Sequence, residues 1–379
     1  MGSSVAGRLL VIGTSASEAC GVRDYAHVVG RALREQGAHV EVEWWEQDVR
    51  WSFRTALEEH SRWLTRVAAS VRTSSPDWII WHYSVFLWGA SGIPYLVPRT
   101  ARRLGRTGVP ILLVAHELAF PFGRGGWKGR IWAASQRVAL SWPIRVSSAV
   151  VVTTEERLRW LNSRRWLPGR RARFLPVCSN VCVDGIRSHS ASELVLGVFG
   201  FGAPETLAFE TTSAVARLRS AGIDAHLLLV GAPGENGQQA DRWRAAAEKA
   251  GVSEVFAFTG VLPLEELARE LSGSDIVVLP DRGGPSSRKG TVAAALALGK
   301  AAVAVKGPEQ WAELVDDKAL VLVEPNCHAL AQAFGELAGS DELRRAQGRR
   351  AAAFYERRMT PALLACATLS LLEHNLHSS

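Results

Sequence analysis

Three segments of this 379-residue sequence combine residue types that can hold or act on an anionic or hydroxylated ligand. The richest is Pro280-Asp281-Arg282-Gly283-Gly284-Pro285-Ser286-Ser287-Arg288-Lys289-Gly290-Thr291, which leads from a β-rich apolar run into the apolar stretch Val292–Leu298. Its glycines let backbone N–H groups approach an anion, the helix start adds partial positive charge, and Arg288 and Lys289 add formal charge. Those are the ingredients of a diphosphate site, where each charge-assisted hydrogen bond contributes roughly 1.5–3 kcal/mol. The plainer alternative is a capped helix whose cations are merely solvated. The second segment, Gly13 to Arg23, contains Cys20-Gly21-Val22-Arg23 and follows the first apolar run. It is neither a GxGxxG fingerprint nor a phosphate loop ending Gly-Lys-Ser/Thr, and an ordinary turn between strand and helix is its competing reading. The third is His116-Glu117, directly after Ile111–Ala115. An imidazole at a strand's carboxyl end can bond a sugar hydroxyl or a phosphate, or move a proton; a structural His is the alternative.

The elements that must position these residues alternate strictly. Short Val-, Ile- and Leu-rich runs predict strands at Leu9–Ile12, Val40–Glu43, Trp78–His82, Ile111–Ala115, Ala149–Thr153 and Phe174–Val177. Helical stretches such as Asp24–Gln36 and Phe53–Val71 lie between them. Runs of this kind need a sheet covered on both faces, and strand-helix alternation makes that sheet parallel with right-handed crossovers. After the polar break Asp184–Ser192 the pattern restarts, with strands at Val195–Gly200, His226–Val230, Val255–Thr259, Ile276–Pro280, Ala302–Val305 and Leu320–Val323. The expected organisation is α/β: a Rossmann-like domain over 1–184, a second over 185–340, and C-terminal helices over 341–379 returning to the first. Two such domains facing each other would make a cleft at the carboxyl ends of the strands, where ligands of open parallel sheets bind.

Composition narrows the function classes. Charged residues at 21% and hydrophobic residues at 47% describe a globular chain and exclude disorder. No run of about 18 apolar residues is present, and the start lacks a basic-then-apolar leader, so the expected location is the cytoplasm. Five scattered cysteines suggest reduced thiols; Cys178 and Cys182 have no partners to complete a zinc set, so no metal site is expected. The net charge of +7 favours anionic partners, but no basic tail points to nucleic acid. The segment Trp44–Val71, rich in Trp and Arg, reads as a core-facing amphipathic helix from Phe53, with interfacial membrane docking as the rival. Phe120 to Trp132 reads as a surface loop, whose Arg124, Lys128, Arg130, Trp127 and Trp132 would suit a phosphate-linked or lipid-linked acceptor.

Taken in order, these motifs resemble GT-B glycosyltransferases of the large retaining class often called family 4. The resemblance covers nearly the whole chain. It is carried by Cys20 to Tyr25 at the turn opening the first helix, Val152-Thr153-Thr154 at a strand end, Leu175-Pro176-Val177 before the interdomain linker, Val195–Gly202, Leu228–Gly231 and Ser274–Pro280. Many members place two glutamates with seven residues between them around the donor helix; counting back from Gly299-Lys300, those positions hold Ser286 and Ala294. The stretch Ser286–Thr291 instead resembles a variant subgroup with a Ser-x-Arg-Arg-Gly-Ser/Thr loop. Where a basic pair is expected early in the second domain, the chain reads Ala203-Pro204-Glu205-Thr206.

The resemblance implies a hexosyltransferase that needs no metal or other cofactor and takes a nucleotide-diphosphate sugar as co-substrate. Its acceptor hydroxyl would belong to a carbohydrate, a lipid-linked molecule or a small molecule, and transfer would retain configuration through a front-face route. His116 and Glu117 would be the catalytic pair. Gly21, Val22, Gly200, Gly260, Val261, Ser286, Ser287, Arg288, Lys289, Gly290 and Thr291 would bind the donor, with the base beside Thr259–Leu262. Alternatives are a catalytically degenerate nucleotide-sugar-binding or partner protein, an epimerase of the same architecture, and an NAD-dependent oxidoreductase, which the missing GxGxxG disfavours.

Overall fold

A computed structural model describes residues 7–16, 20–48, 50–89, 92–167, 172–181 and 193–376. The chain divides into two compact units, one of residues 1–176 with 361–379 and the other of 177–360.

The first unit holds a six-stranded sheet in the order β2-β1-β3-β4-β5-β6. Its strands are β1 (Arg8–Ser15), β2 (His39–Glu46), β3 (Trp78–Ser84), β4 (Ile111–Glu117), β5 (Ala149–Val152) and β6 (Ala172–Phe174), all parallel. Strands β3 and β5 are buried along their whole length, as continuous apolar runs require. The covering helices are α1 (Gly21–Glu35), α2 (Phe53–Ser74), α3 (Val97–Gly105), α4 (Gly126–Val146) and α5 (Glu155–Asn162). Helix α2 starts where Ser52 accepts a hydrogen bond from the Thr55 N–H, a side-chain N-cap. It buries Trp63, Leu64 and Val67 in the core with Trp45, Trp81 and Trp88, so its apolar stripe is committed to packing.

The second unit repeats the plan with the order β12-β11-β10-β7-β8-β9. Its strands are β7 (Leu194–Phe199), β8 (Ala225–Val230), β9 (Phe256–Phe258), β10 (Ile276–Leu279), β11 (Ala301–Val305) and β12 (Val321–Val323), again parallel. Its helices are α6 (Ala208–Ser220), α7 (Gln238–Ala250), α8 (Leu264–Gly273), α9 (Gly290–Ala297), α10 (Ala312–Asp316), α11 (Cys327–Ala338) and α12 (Asp341–Arg358).

Three sequence expectations need correction. Residues 341–379 do not return together: α12 stays in the second unit against α9 and β11, and only α13 (Pro361–Leu376) packs on α1 of the first unit. Gln36 ties that return down by donating from Nε2 to the Ala362 carbonyl at 2.8 Å. The sixth strand ends at Phe174, whereas the sequence placed it over 174–177; beyond it the Val177 N–H donates to the Ser287 carbonyl at 2.8 Å. The expected Phe120–Trp132 loop becomes helix from Gly126 onward, so Trp127, Lys128, Arg130 and Trp132 lie on the first turns of α4. Cys182 and the polar break 184–192 lie outside the described residues.

Candidate functional site

In the second unit strand order reverses between β10 and β7, the kind of switch point where open parallel sheets bind ligands. The loops leaving these two strands are stitched together. Thr206 and Asp281 form an isolated antiparallel bridge. The Leu207 N–H donates to the Pro280 carbonyl at 2.8 Å, and the Arg282 N–H to the Glu205 carbonyl at 3.2 Å. Arg282 also pairs with Glu210 at 2.6 Å. The segment Ala203–Thr206, which departs from the expected basic pair, therefore acts as the strap that holds the glycine-rich loop at the strand ends.

Two glycines, one at the end of β7 and one in that loop, are required by space. Gly200 has φ +82°, and a Cβ there would come 2.6 Å from Thr291 Cγ2, so the end of β7 lies directly against the start of α9. Gly284 has φ +82° and faces Gly307, where a Cβ would approach to 2.8 Å. Helix α9 opens after Lys289 without a side-chain cap, and its ladder begins with Val292 and Ala293 donating to the Lys289 carbonyl. The amides of Gly290 and Thr291 precede that ladder, and nothing lies within 4 Å of a Cβ placed on Gly290. A cavity of about 20 Å³ lies here, lined by Gly200, Asp281, Gly284, Lys289 and Thr291 among others.

The loop's cations have protein counter-ions, which the sequence did not reveal. Arg288 pairs with Glu309 at 2.8 Å, and Lys289 pairs with Asp281 at 2.9 Å while donating to the Gly284 carbonyl at 2.8 Å. Ser286 and Ser287 are buried, and Ala294 sits in an apolar cluster with Val181, Val230, Leu267, Leu271 and Leu298. An ionised side chain at 294 would be buried among hydrocarbon, so alanine is the residue this packing accepts. Gly260 and Val261 lie two strands away, after β9: Gly260 has φ +76°, Thr259 Oγ1 bonds the Gly231 N–H at 3.0 Å, and Val261 is exposed.

The first unit brings the other predicted residues together. Gly21 and Val22 open α1, and one turn later Tyr25 makes edge contacts with His116 and His82 at ring-centroid distances of 5.1 and 5.8 Å. His82 Nδ1 is 3.1 Å from His116 Nε2. Burial lowers the pKa of both, that of His116 to about 3 with help from the Arg157 charge, so both imidazoles are neutral at pH 7. The Glu117 carboxylate accepts from Arg157 Nη2 at 2.6 Å, and the same guanidinium donates to the His116 carbonyl and to Thr153 Oγ1. Glu117 is thus committed to an ion pair that fixes the backbone of its neighbour. His82 is the residue that sequence reading missed: it sits inside an apolar strand, and only the register of β3 against β4 reveals its partner.

Among the described residues one group of three could hold a metal ion, namely Glu193, Asp224 and His226. It lies at the amino ends of β7 and β8, opposite the loop end of the sheet, and Asp224 already pairs with Arg219 at 2.7 Å. No described helix is long and apolar enough to cross a membrane.

Two parallel Rossmann-like sheets with these loops define the GT-B fold. Sucrose-phosphate synthase from Thermosynechococcus elongatus matches with a TM-score of 0.74 at 16% identity, covering 98% of this chain and all (100%) of that one. A glycosyltransferase from Rickettsia africae matches with a TM-score of 0.67 at 11% identity, over 98% of this chain and 100% of that one. Residues 207–340, the stretch that contains the glycine-rich loop and α9, match the family model described as Glycosyl transferases group 1. A 2-deoxystreptamine N-acetyl-D-glucosaminyltransferase of Streptomyces fradiae is 31% identical over 228 residues, covering 57% of this chain and 52% of that protein. The chain thus spans about half the length of the curated relative it matches.

Proposed function

We propose that this chain is a glycosyltransferase that moves a sugar from a nucleotide-diphosphate donor to an acceptor hydroxyl. The observation that carries the proposal is the glycine-rich loop 280–291, strapped to the strand ends at the switch point, bearing two cations and opening α9 within the stretch that matches the group 1 glycosyltransferase model. As the glycosidic bond to the diphosphate breaks, negative charge grows on the leaving oxygen. Arg288, Lys289 and the amides of Gly290 and Thr291 stabilise that charge, a role that otherwise falls to a divalent cation. The acceptor oxygen bonds to the anomeric carbon and its proton passes to the departing diphosphate.

His116 fits a hydrogen-bonding role toward a sugar hydroxyl. A group whose conjugate acid has a pKa of about 3 is a weak general base at pH 7. That favours the retaining, front-face reading over one needing a strong base at this position. Glu117 then positions His116 through Arg157. Gly21 and Val22 add helix-start amides on the first unit, and the exposed Val261 beside Gly260 offers an apolar edge for the base. The relative's name makes N-acetyl-D-glucosamine the first donor sugar to test and a small polyhydroxylated amine the first acceptor.

The ion pairs Arg288–Glu309 and Lys289–Asp281 favour one second reading, a binding protein without turnover, because the loop's cations are already neutralised. Incubation with a panel of nucleotide sugars and acceptors, read by mass spectrometry, separates the two. Glycosylated product, with the donor anomeric configuration retained, supports the transferase. Nucleotide binding without transfer or hydrolysis supports the binding protein.

A further inference from the structure

Away from every residue assigned above, helices α2 and α3 of the first unit enclose a groove of about 590 Å³. That volume lies within the range of small-ligand pockets, roughly 300–1,000 Å³. One wall is a row of four arginines on and just after α3, namely Arg99, Arg102, Arg103 and Arg106; Ser61 and Thr65 of α2 stand on the other. The spacing of three, four and seven residues puts all four guanidinium groups on one helix face, over about 10 Å of axis.

None of these arginines has a carboxylate partner among the described residues. Their neighbours on α2 are otherwise engaged: Arg62 pairs with Glu59 and Arg66 with Glu43. The dipole of α3 welcomes cations in its last turn, which accounts for Arg102, Arg103 and Arg106. It does not account for Arg99, which stands in the first turn, where a cation is disfavoured. Arg102 is held in place over the Trp142 ring at 4.6 Å, so the row is braced from behind. A concave wall of like charges, unpaired by protein acids and partly fixed by stacking, is complementary to a compact ligand bearing several negative charges.

We propose that the α2–α3 groove binds a small molecule carrying two or more phosphate groups, at a site separate from the donor loop. One phosphate can be gripped by a pair of arginines, and the length of the row accommodates a second. The site is independent of the donor reading, since the groove lies wholly in the first unit and the loop in the second.

The probe is inorganic tripolyphosphate, titrated calorimetrically into the full chain carrying Arg288→Ala to weaken the donor loop, and into the unsubstituted chain. Saturable binding is expected in both, at least tenfold tighter than for orthophosphate. Arg99→Gln with Arg103→Gln, exposed positions whose fold is checked by circular dichroism, should weaken it at least tenfold. The control pair Arg349→Gln with Arg350→Gln on α12 should leave it unchanged. The proposal is overturned by no binding, by binding that vanishes with Arg288→Ala alone, by equal affinity for orthophosphate, or by equal losses in both glutamine pairs. Arginine-dependent sedimentation with phosphatidylglycerol vesicles in the absence of tripolyphosphate binding would also overturn it, making the groove a bilayer contact.

Discussion

His82 Nδ1 lies 3.1 Å from His116 Nε2 in a nearly parallel ring pair tilted by 24°, with Tyr25 edge-on to both. In two neutral imidazoles one nitrogen of this contact carries a proton and the other accepts it, so each ring sets the tautomer of the other. His82 is therefore the group that decides whether His116 Nδ1 is a donor or an acceptor.

His82→Phe keeps the ring and removes the hydrogen bond. Turnover should fall about tenfold or more, in line with roughly 1.5 kcal/mol for one hydrogen bond, with donor affinity unchanged. His82→Asn, which restores a polar nitrogen near the Nδ1 position, should recover part of the loss. Steady-state kcat and KM measured side by side check this; matched losses in both variants would make His82 a packing residue only.

The buried histidines also fix an acid limit on stability. His60, whose Nε2 is 2.8 Å from Thr100 Oγ1, is lowered by burial and by Arg99 from 6.5 to about 4. In the unfolded chain it binds a proton below about pH 6.5, while in the folded chain it does so only below about 4. The folded state therefore loses stability as pH falls from 6.5 towards 4, by up to about 1.4 kcal/mol per pH unit for this proton. His60→Gln should flatten the slope of the first unit's unfolding free energy by one proton across that window. An unaltered slope in pH-dependent chemical denaturation would place this histidine's titration elsewhere.

Arg288→Ala should weaken nucleoside diphosphate binding by roughly 10- to 100-fold, the equivalent of about 1.5–3 kcal/mol for a charge-assisted hydrogen bond. Glu309→Gln removes the carboxylate that competes for the same guanidinium and should strengthen binding several-fold. Titration calorimetry measures both. A weaker complex with Glu309→Gln would show that this carboxylate orients Arg288 for its ligand.

Gly200→Ala forces a Cβ into a backbone at φ +82° and within 2.6 Å of Thr291 Cγ2. Destabilisation of about 1–3 kcal/mol is expected, together with weaker diphosphate binding because the start of α9 must shift. Thermal unfolding and calorimetry should move together; a stable variant with intact binding would show that the β7 end and α9 are uncoupled.

The sheets were legible in the sequence because runs such as Ile111–Ala115 and Ile276–Pro280 must be apolar on both faces and are short, β-rich and bounded by polar or Pro residues. The glycine-rich turn from Pro280 to Thr291 was legible as a strand-to-helix connection because its residues are contiguous. What escaped depends on partners far away in sequence. Glu309 meets Arg288 across 21 residues, and His82 meets His116 across 34. Helix α4 was hidden by Gly125, Gly126 and Gly129, which read as loop; at Gly129 a Cβ would come 1.8 Å from the Arg124 carbonyl oxygen, so close backbone packing demands the glycine inside the helix. Helices α12 and α13 looked alike as a terminal pair, and only packing of Leu364, Ala365 and Thr368 in the first unit separates α13 from its predecessor.

A crystal structure with a bound nucleoside diphosphate tests most directly whether the loop from Pro280 to Thr291 holds the donor diphosphate. Phosphate oxygens should lie within hydrogen-bonding distance of the Gly290 and Thr291 amides, with Arg288 or Lys289 turned from its carboxylate partner onto the phosphate. A nucleotide seated elsewhere, with the loop unoccupied and both ion pairs intact, would contradict it.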